Sequence, residues 1–260
     1  MKRRYRYSYQ TIERYDSMVT NYHFQLRCTP YAHPFQRLIS SQLQLLSGVN
    51  VCSSVDTFGN TIDYGTLREP HDLFVVSANG VVECDDYMIE DSTPSHLYRT
   101  PTRLTAISPE LSKLNLSCIT SGTSRDVAEL LSHAIFRHMS YTPCATTVTT
   151  TAAESFTLTE GVCQDFSHIL IALCRERAIF VRYVVGYVIG TGETHAWVEV
   201  WSDGVWYGID PTHDKMIEGA DGYIKVAHGR DAADCSVVRG MRQGITSNTT
   251  QIRVMVEEMR

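Results

Sequence analysis

His195-Ala196-Trp197-Val198-Glu199-Val200-Trp201-Ser202 and Val205-Trp206-Tyr207-Gly208-Ile209-Asp210 flank the dipeptide Asp203-Gly204. The pattern on either side has a period of two, and Asp-Gly supplies the positive φ values that a two-residue hairpin turn requires. With that turn Ser202 faces Val205, Trp197 faces Asp210 and His195 faces Thr212. The side chains of the last two pairs then share one face of the sheet. His195 and Asp210 become diagonal neighbours, roughly 7 to 8 Å apart between backbones, a span that an imidazole and a carboxylate can close with a hydrogen bond.

Upstream of this hairpin, Ile179 to Ile189 has the same period, and Gly190-Thr191-Gly192 reads as the turn that leads into it. Before that strand Phe166, Ile169, Leu170, Leu173 and Cys174 recur at helical spacing, and Arg175-Glu176-Arg177 closes the segment. The second half is therefore a helix followed by an antiparallel meander. A further helix is predicted over Ser124 to Met139, with Val127, Leu130, Leu131, Ala134 and Ile135 on one stripe and Thr123 and Asp126 at its start. Thr-rich Tyr141 to Ser155 reads as an extended surface connection.

Residues 20–105 are rich in Thr, Ser, Val and Tyr, broken by Phe58-Gly59-Asn60 and Asn79-Gly80, and read as β. Leu73 to Glu83 is predicted to be a hairpin turning at Asn79-Gly80. The Lys2 to Arg6 cluster reads as a solvated strand edge. No repeat of fixed period is apparent.

Chemistry is concentrated at Cys163, in the first turn of the second helix. A thiol there meets partial positive charge and unpaired N–H groups, which favour the thiolate and can receive an oxyanion. The bland alternative is a small buried hydrophobe. Asp210 beside His195 would fix the imidazole tautomer and leave the other ring nitrogen facing a nucleophile, the generalised triad arrangement. Gln164 and Asp165 follow the nucleophile and either line the site or polarise the helix start. Trp197 is a candidate aromatic wall for an acyl substrate, whereas Trp201 and Trp206 on the same face read as core. His168 reads as a helix side chain, and Arg230-Asp231 as a structural ion pair.

Gly161-Val162-Cys163-Gln164-Asp165-Phe166-Ser167-His168, His195-Ala196-Trp197-Val198-Glu199-Val200 and Asp210-Pro211-Thr212 resemble the transglutaminase-like family of bacterial proteins. Tyr183-Val184-Val185-Gly186-Tyr187 and His228-Gly229-Arg230-Asp231 extend the resemblance. Ser167 and Ala232 depart from the family pattern and bear on substrate preference. The resemblance implies an α+β fold: an N-terminal antiparallel β-domain over residues 1–106, then a papain-like, transglutaminase-like core over residues 107–260. In that core a helix bearing cysteine packs on an antiparallel sheet. It further implies Cys163 as nucleophile, His195 as base and acid, and Asp210 as orienter.

Composition narrows the function class. The chain has 260 residues, 23 Lys and Arg against 29 Asp and Glu, and a formal net charge of −6. Without a long basic stretch it lacks the electrostatic footprint of a nucleic-acid binder. The longest apolar run, Ile169 to Cys174, is far short of a membrane span of roughly 20 residues. No secretory signal follows the basic start, and the eight cysteines form no CxxC pairs, so reduced thiols and a cytoplasmic location are expected. No zinc, calcium or dinucleotide motif is present, so no metal and no cofactor are expected. The expected partner is a peptide or protein amide substrate, with no nucleic acid and no membrane, and the oligomeric state left open. Hydrolysis through a thioester is the leading reaction. Amine transfer to a glutaminyl side chain and a catalytically silent peptide-binding scaffold are the alternatives.

Overall fold

Tyr5, Tyr7, Tyr9 and Thr11 are buried while Arg4 and Arg6 face outward, and this alternation makes the start of the chain a long strand, β1 (Arg3–Leu26). The computed structural model describes residues 2–46, 48–118, 122–218 and 220–259. After β1 come β2 (Gln36–Leu45), β3 (Cys52–Val55), β4 (Thr61–Leu67), β5 (His71–Cys84) and β6 (Met88–Glu90). Helices α1 (Pro109–Ser117) and α2 (Ser124–His138) lead to β7 (Ser140–Tyr141), α3 (Ala152–Leu158), β8 (Glu160–Gly161) and α4 (Cys163–Glu176). The rest is β: β9 (Val181–Val188), β10 (Gly190–Gly192), β11 (His195–Ser202), β12 (Val205–Asp210), β13 (Lys215–Ile217), β14 (Tyr223–Gly229), β15 (Val238–Gln243) and β16 (Asn248–Met259).

The fold is α+β, with two mainly antiparallel sheets. One contains β1 to β5, and the chain's last strands complete it: β16 and β5 pair with opposite sides of the first half of β1, and β15 and β4 pair with its second half. The other runs β13-β12-β11-β9-β14, with β6 added on β12. The four helices cover one face of this second sheet, where Phe166, Ile169, Leu170 and Leu173 of α4 meet Val198, Val200 and Ile209. Trp197 and Trp206 occupy the other face, packed with Tyr87, Tyr98 and Tyr223.

The predicted hairpin register is the observed one. β11 and β12 pair from Ser202–Val205 to Val198–Ile209, and both Asp203 and Gly204 have positive φ at the turn. α2 and α4 also match their periodicity, and Thr123 and Asp126 form a reciprocal capping box at the start of α2.

Four expectations are corrected. Asn79-Gly80 is not a turn: β5 runs straight through it, with Gly80 opposite Tyr7 on β1 and Ser41 on β2. Glycine is required there by packing, since a Cβ would lie 2.2 Å from the Ser40 carbonyl oxygen and 2.8 Å from the Tyr7 ring. Lys2 to Arg6 is not at an edge, because β1 is paired on both sides and its arginines reach carboxylates, as in Arg4 to Glu83 at 3.0 Å. Tyr141 to Ser155 is not wholly extended, because Thr151 and Glu154 cap α3. Gly190–Gly192 forms a short strand on β16 rather than a simple turn.

The two sheets are joined through buried polar groups. The Gln36 side chain donates to the Lys225 carbonyl and accepts the Lys225 N–H, at 2.9 and 2.8 Å. Asn60 does the same for His228, at 2.8 Å in both directions. Two amide side chains thereby stand in for a strand along β14, whose edge would otherwise leave backbone groups unpaired. Behind that strand Glu199, fully buried, accepts from Arg182, from Lys225 at 2.7 Å and from Tyr87 at 2.6 Å. Removing the one anion would leave two buried cations facing each other. A Glu199→Gln variant is expected to lose about 3 to 5 kcal/mol of stability. Chemical denaturation measures this, and an unchanged midpoint would refute it.

Candidate active site

Val162 precedes α4 and has no side-chain oxygen to cap it, so the Asp165 carboxylate accepts the Val162 N–H at 2.8 Å instead. Thr146 also donates to Asp165, at 2.6 Å, and ties the 142–151 connection to the helix start. Gly161 makes room for this carboxylate: a Cβ at that position would lie 2.7 Å from it. Cys163 is thereby held, half-buried, at the first helical position. There the backbone N–H groups of Cys163 and Gln164 belong to the first turn, which has no intrahelical acceptors.

His195 opens β11, opposite Gly186 on β9. A Cβ on Gly186 would meet the Ile224 carbonyl oxygen at 2.1 Å and the Trp197 ring at 2.6 Å, so only glycine lets these strands lie together behind the imidazole. The ring donates from Nε2 to Oδ2 of Asp210 at 2.7 Å. The pKa of the ring also responds to Cys163, whose thiol therefore lies near it. With Nε2 committed to the carboxylate, Nδ1 is the nitrogen left for sulfur. Burial alone would lower the His195 pKa, but the hydrogen bond to Asp210, together with the proximity of Cys163 and the charge of the carboxylate, outweighs it and carries it up to about 10.

Asp210 is fully buried and its hydrogen-bonding capacity is heavily used. Oδ2 accepts from His195, from His213 Nδ1 at 2.7 Å and from the Tyr223 hydroxyl at 2.8 Å. Oδ1 accepts the backbone N–H groups of Thr212 at 2.9 Å and His213 at 3.3 Å. Burial would push the carboxyl up, yet the two imidazoles hold it well below the ordinary carboxylate range. His195, Asp210 and His213 bring their potential ligand atoms within 4.8 Å of one another. Both nitrogens direct their N–H at the same carboxylate oxygen, so a cation there would have to displace both protons. The arrangement fits a hydrogen-bonded orienter better than a metal centre.

Of the residues singled out in the sequence, Gln164 is half-buried and lines a cavity together with Val148, Thr149 and Thr194. Asp165 is buried and engaged at the helix cap. Trp197 is buried too, stacked on His195 with ring centroids 6.4 Å apart and donating its indole N–H to Tyr87 at 2.8 Å. Both are thus placed to support the site from behind rather than to touch substrate. His168 is buried and accepts the Ala232 N–H at 3.2 Å. Arg230 pairs with Asp234 at 2.9 Å rather than with Asp231, which instead accepts the Ala233 N–H. That corrects the expected pair: Asp234 lies one turn on from Arg230, within reach of its guanidinium.

Sequence reading missed His213, Tyr223 and Tyr141. His213 had a local signal, three residues after Asp210 in an Asp-Pro turn. Tyr223 had none, since it reaches Asp210 from β14 across the sheet. Tyr141 lies opposite Gly161 in the short parallel pair of β7 and β8 and stays exposed near the thiol.

Residues 118–211 match the family model described as transglutaminase-like superfamily, and residues 5–83 match that of the bacterial transglutaminase-like N-terminal region. An uncharacterized protein of Mycobacterium leprae (strain TN) is 26% identical over 266 residues, covering 94% of each chain. One from Mycobacterium tuberculosis (strain ATCC 25618 / H37Rv) is 28% identical over 281 residues, covering 92% of this chain and 87% of the relative. Among solved structures, a protein of Cytophaga hutchinsonii provisionally named a cysteine protease superposes with a TM-score of 0.84 at 21% identity. That match covers 100% of this chain and 92% of the other, and at such identity it is a likeness of fold.

Proposed function

The chain belongs to the transglutaminase-like superfamily, and on that basis we propose that it is a cysteine-dependent enzyme that hydrolyses amide bonds through a thioester on Cys163. The observation that supports the reading is one imidazole hydrogen-bonded to the buried Asp210 carboxylate, with the Cys163 thiol at the start of α4 close enough to influence the ring. A raised His195 pKa favours the imidazolium, the form that can give a proton to a departing amine.

In the first step Sγ attacks the substrate carbonyl carbon, and the carbonyl oxygen takes up negative charge at the first-turn N–H groups of Cys163 and Gln164. His195 gives its Nδ1 proton to the departing amine as the C–N bond breaks, leaving a thioester. Water then attacks the thioester carbon and passes a proton to Nδ1. Cleavage of the C–S bond restores the thiolate and imidazolium pair and releases the carboxylic acid. Asp210 keeps the ring oriented throughout and stays ionised.

Amine transfer shares the first step and differs only in what resolves the thioester. Water needs no dedicated acceptor site, which favours hydrolysis. The test incubates a glutaminyl peptide with the protein, with and without a primary amine, and identifies the products by mass. Acid should dominate in both mixtures. A predominance of amine adduct would reassign the reaction to amine transfer, and the absence of any Cys163-dependent product across a peptide and amide library would favour the scaffold.

A further inference from the structure

Asp210 receives more donors than it can hold at full strength. A carboxylate offers about four lone-pair sites, and five donors converge on this one: the Thr212 and His213 backbone N–H groups on Oδ1, and His195, His213 and the Tyr223 hydroxyl on Oδ2. Three of them therefore share a single oxygen. His195 and Tyr223 are held by β11 and β14, whereas His213 lies in the turn after β12 with its side chain 58% exposed. Its Nδ1 is 2.7 Å from Oδ2, and its ring centroid is 5.2 Å from that of His195. Its outer nitrogen, Nε2, has no hydrogen-bond partner among the described residues. Imidazole is the side chain whose charge ordinarily changes between about pH 5 and pH 8, and this one meets solvent while touching the carboxylate that orients His195.

We infer that His213 is a positioning residue for the reaction at Cys163: it acts through Asp210, helping to hold Oδ2 toward His195 while its own ring is neutral, and loosening that hold when the ring gains a second proton. The inference rests on the cysteine-enzyme reading for its effect on turnover, and on the shared carboxylate oxygen for the coupling of the two rings. A charged ring binds Oδ2 more strongly than a neutral one, and it repels the imidazolium beside it. The carboxylate is then divided between two cations, and His195 becomes a poorer acceptor for the proton that water releases at the thioester. The other groups around His213 are already committed. Burial and the Asp210 charge push the Tyr223 hydroxyl up, so it stays protonated. Asp214, the next residue, pairs with His133 of α2 at 2.6 Å, and Lys215 of β13 pairs with Asp221 at 2.8 Å. From α4 the Cys163 thiol acts on His195.

Two substitutions separate the bond from the charge. His213→Asn keeps an N–H donor on the atom bonded to Cγ but cannot ionise, and His213→Ala removes both. EDTA in every buffer keeps adventitious cations off the three side chains. On acidification from about pH 8 to about pH 5, kcat of the parent should fall about tenfold, the scale of one hydrogen bond to a charged group. His213→Ala should be about fivefold slower than the parent at the alkaline end, the net scale of one hydrogen bond open to water. His213→Asn should recover part of that loss, and both variants should lose the acid fall. A merely structural role would scale the whole profile without changing its shape. The coupling is also read without turnover, by NMR of protein carrying isotope-labelled histidine. His195 stays protonated through this range, since its pKa stands at about 10, so a shift of its Nε2 resonance on acidification reports the charge on His213. That shift should be present in the parent and absent in His213→Asn. An acid fall that persists in His213→Asn, no fall in the parent, or a resonance that behaves alike in both proteins would overturn the inference. A resonance that moves only in the parent, with no turnover of any peptide or amide, would sink the enzymatic reading and leave the coupling of the rings standing. Turnover whose acid fall ignores His213→Asn would do the reverse.

Discussion

A Cys163→Ala protein is expected to fold as the parent does and to lose on the order of 10⁶-fold in turnover, the scale seen when a nucleophile that works as a unit with its base is removed. The side chain is half-buried at the first position of α4, and the helix start is held by Asp165 and Thr146 rather than by sulfur. Circular dichroism should therefore be unchanged while product formation disappears. The same side chain should be the most reactive of the eight thiols towards iodoacetamide near neutral pH. Burial raises the pKa of Cys28, Cys84, Cys174 and Cys235, which takes them out of the competition. Substituting His195 by Ala should slow alkylation of Cys163 to the pace of the exposed Cys52 and Cys144. Mass mapping of the first modified cysteine decides the matter. Labelling that reaches Cys163 no sooner than the others, and ignores His195→Ala, would remove the basis for a nucleophilic role.

Asp210→Asn should be the second most damaging change, lowering turnover by about 10⁴-fold with the strands around it still in register. Asparagine has no charge to stabilise an imidazolium, and its amide nitrogen is a donor facing the donors from His195, His213 and Tyr223. The pH profile is the more discriminating readout. His195 has an ordinary value of 6.5 and stands at about 10 in the folded protein. The stability contributed by its protonated form is fully present below about pH 6.5 and is lost as pH rises through about 10. Turnover, which needs the protonated ring to release the amine, should hold up to that alkaline limb. Once the carboxylate is gone, burial still pulls the ring down while the main opposing interaction is lost, so the limb should move towards neutral pH. A profile that does not move on Asp210→Asn, with turnover within tenfold of the parent, would show that the carboxylate does not orient the ring.

Hairpin register, the two long helices and the positions of Cys163, His195 and Asp210 were legible in the sequence because each depends on short-range rules. Asp203-Gly204 sets the turn, a period of two sets the face, and helical spacing of Phe166, Ile169 and Leu173 puts Cys163 at a helix start. The same kind of rule failed at Asn79-Gly80, a strong local turn signal, because β1 and β2 pair with β5 on both sides and tertiary hydrogen bonding outweighs a turn preference. It failed again at 152–158, where the Thr151 and Glu154 capping signal was present but was hidden by the Thr-rich run before it.

What tertiary structure alone decided is whatever depends on segments far apart in the chain. Tyr223 reaches Asp210 from a different strand, Tyr87 anchors the indole behind His195, and β16 joins β1 across almost the whole length of the sequence. A residue's neighbours within a few positions are dictated by backbone geometry and can be read from spacing. Contacts between distant segments depend on which apolar faces bury one another, and that is settled only when the sheets pack.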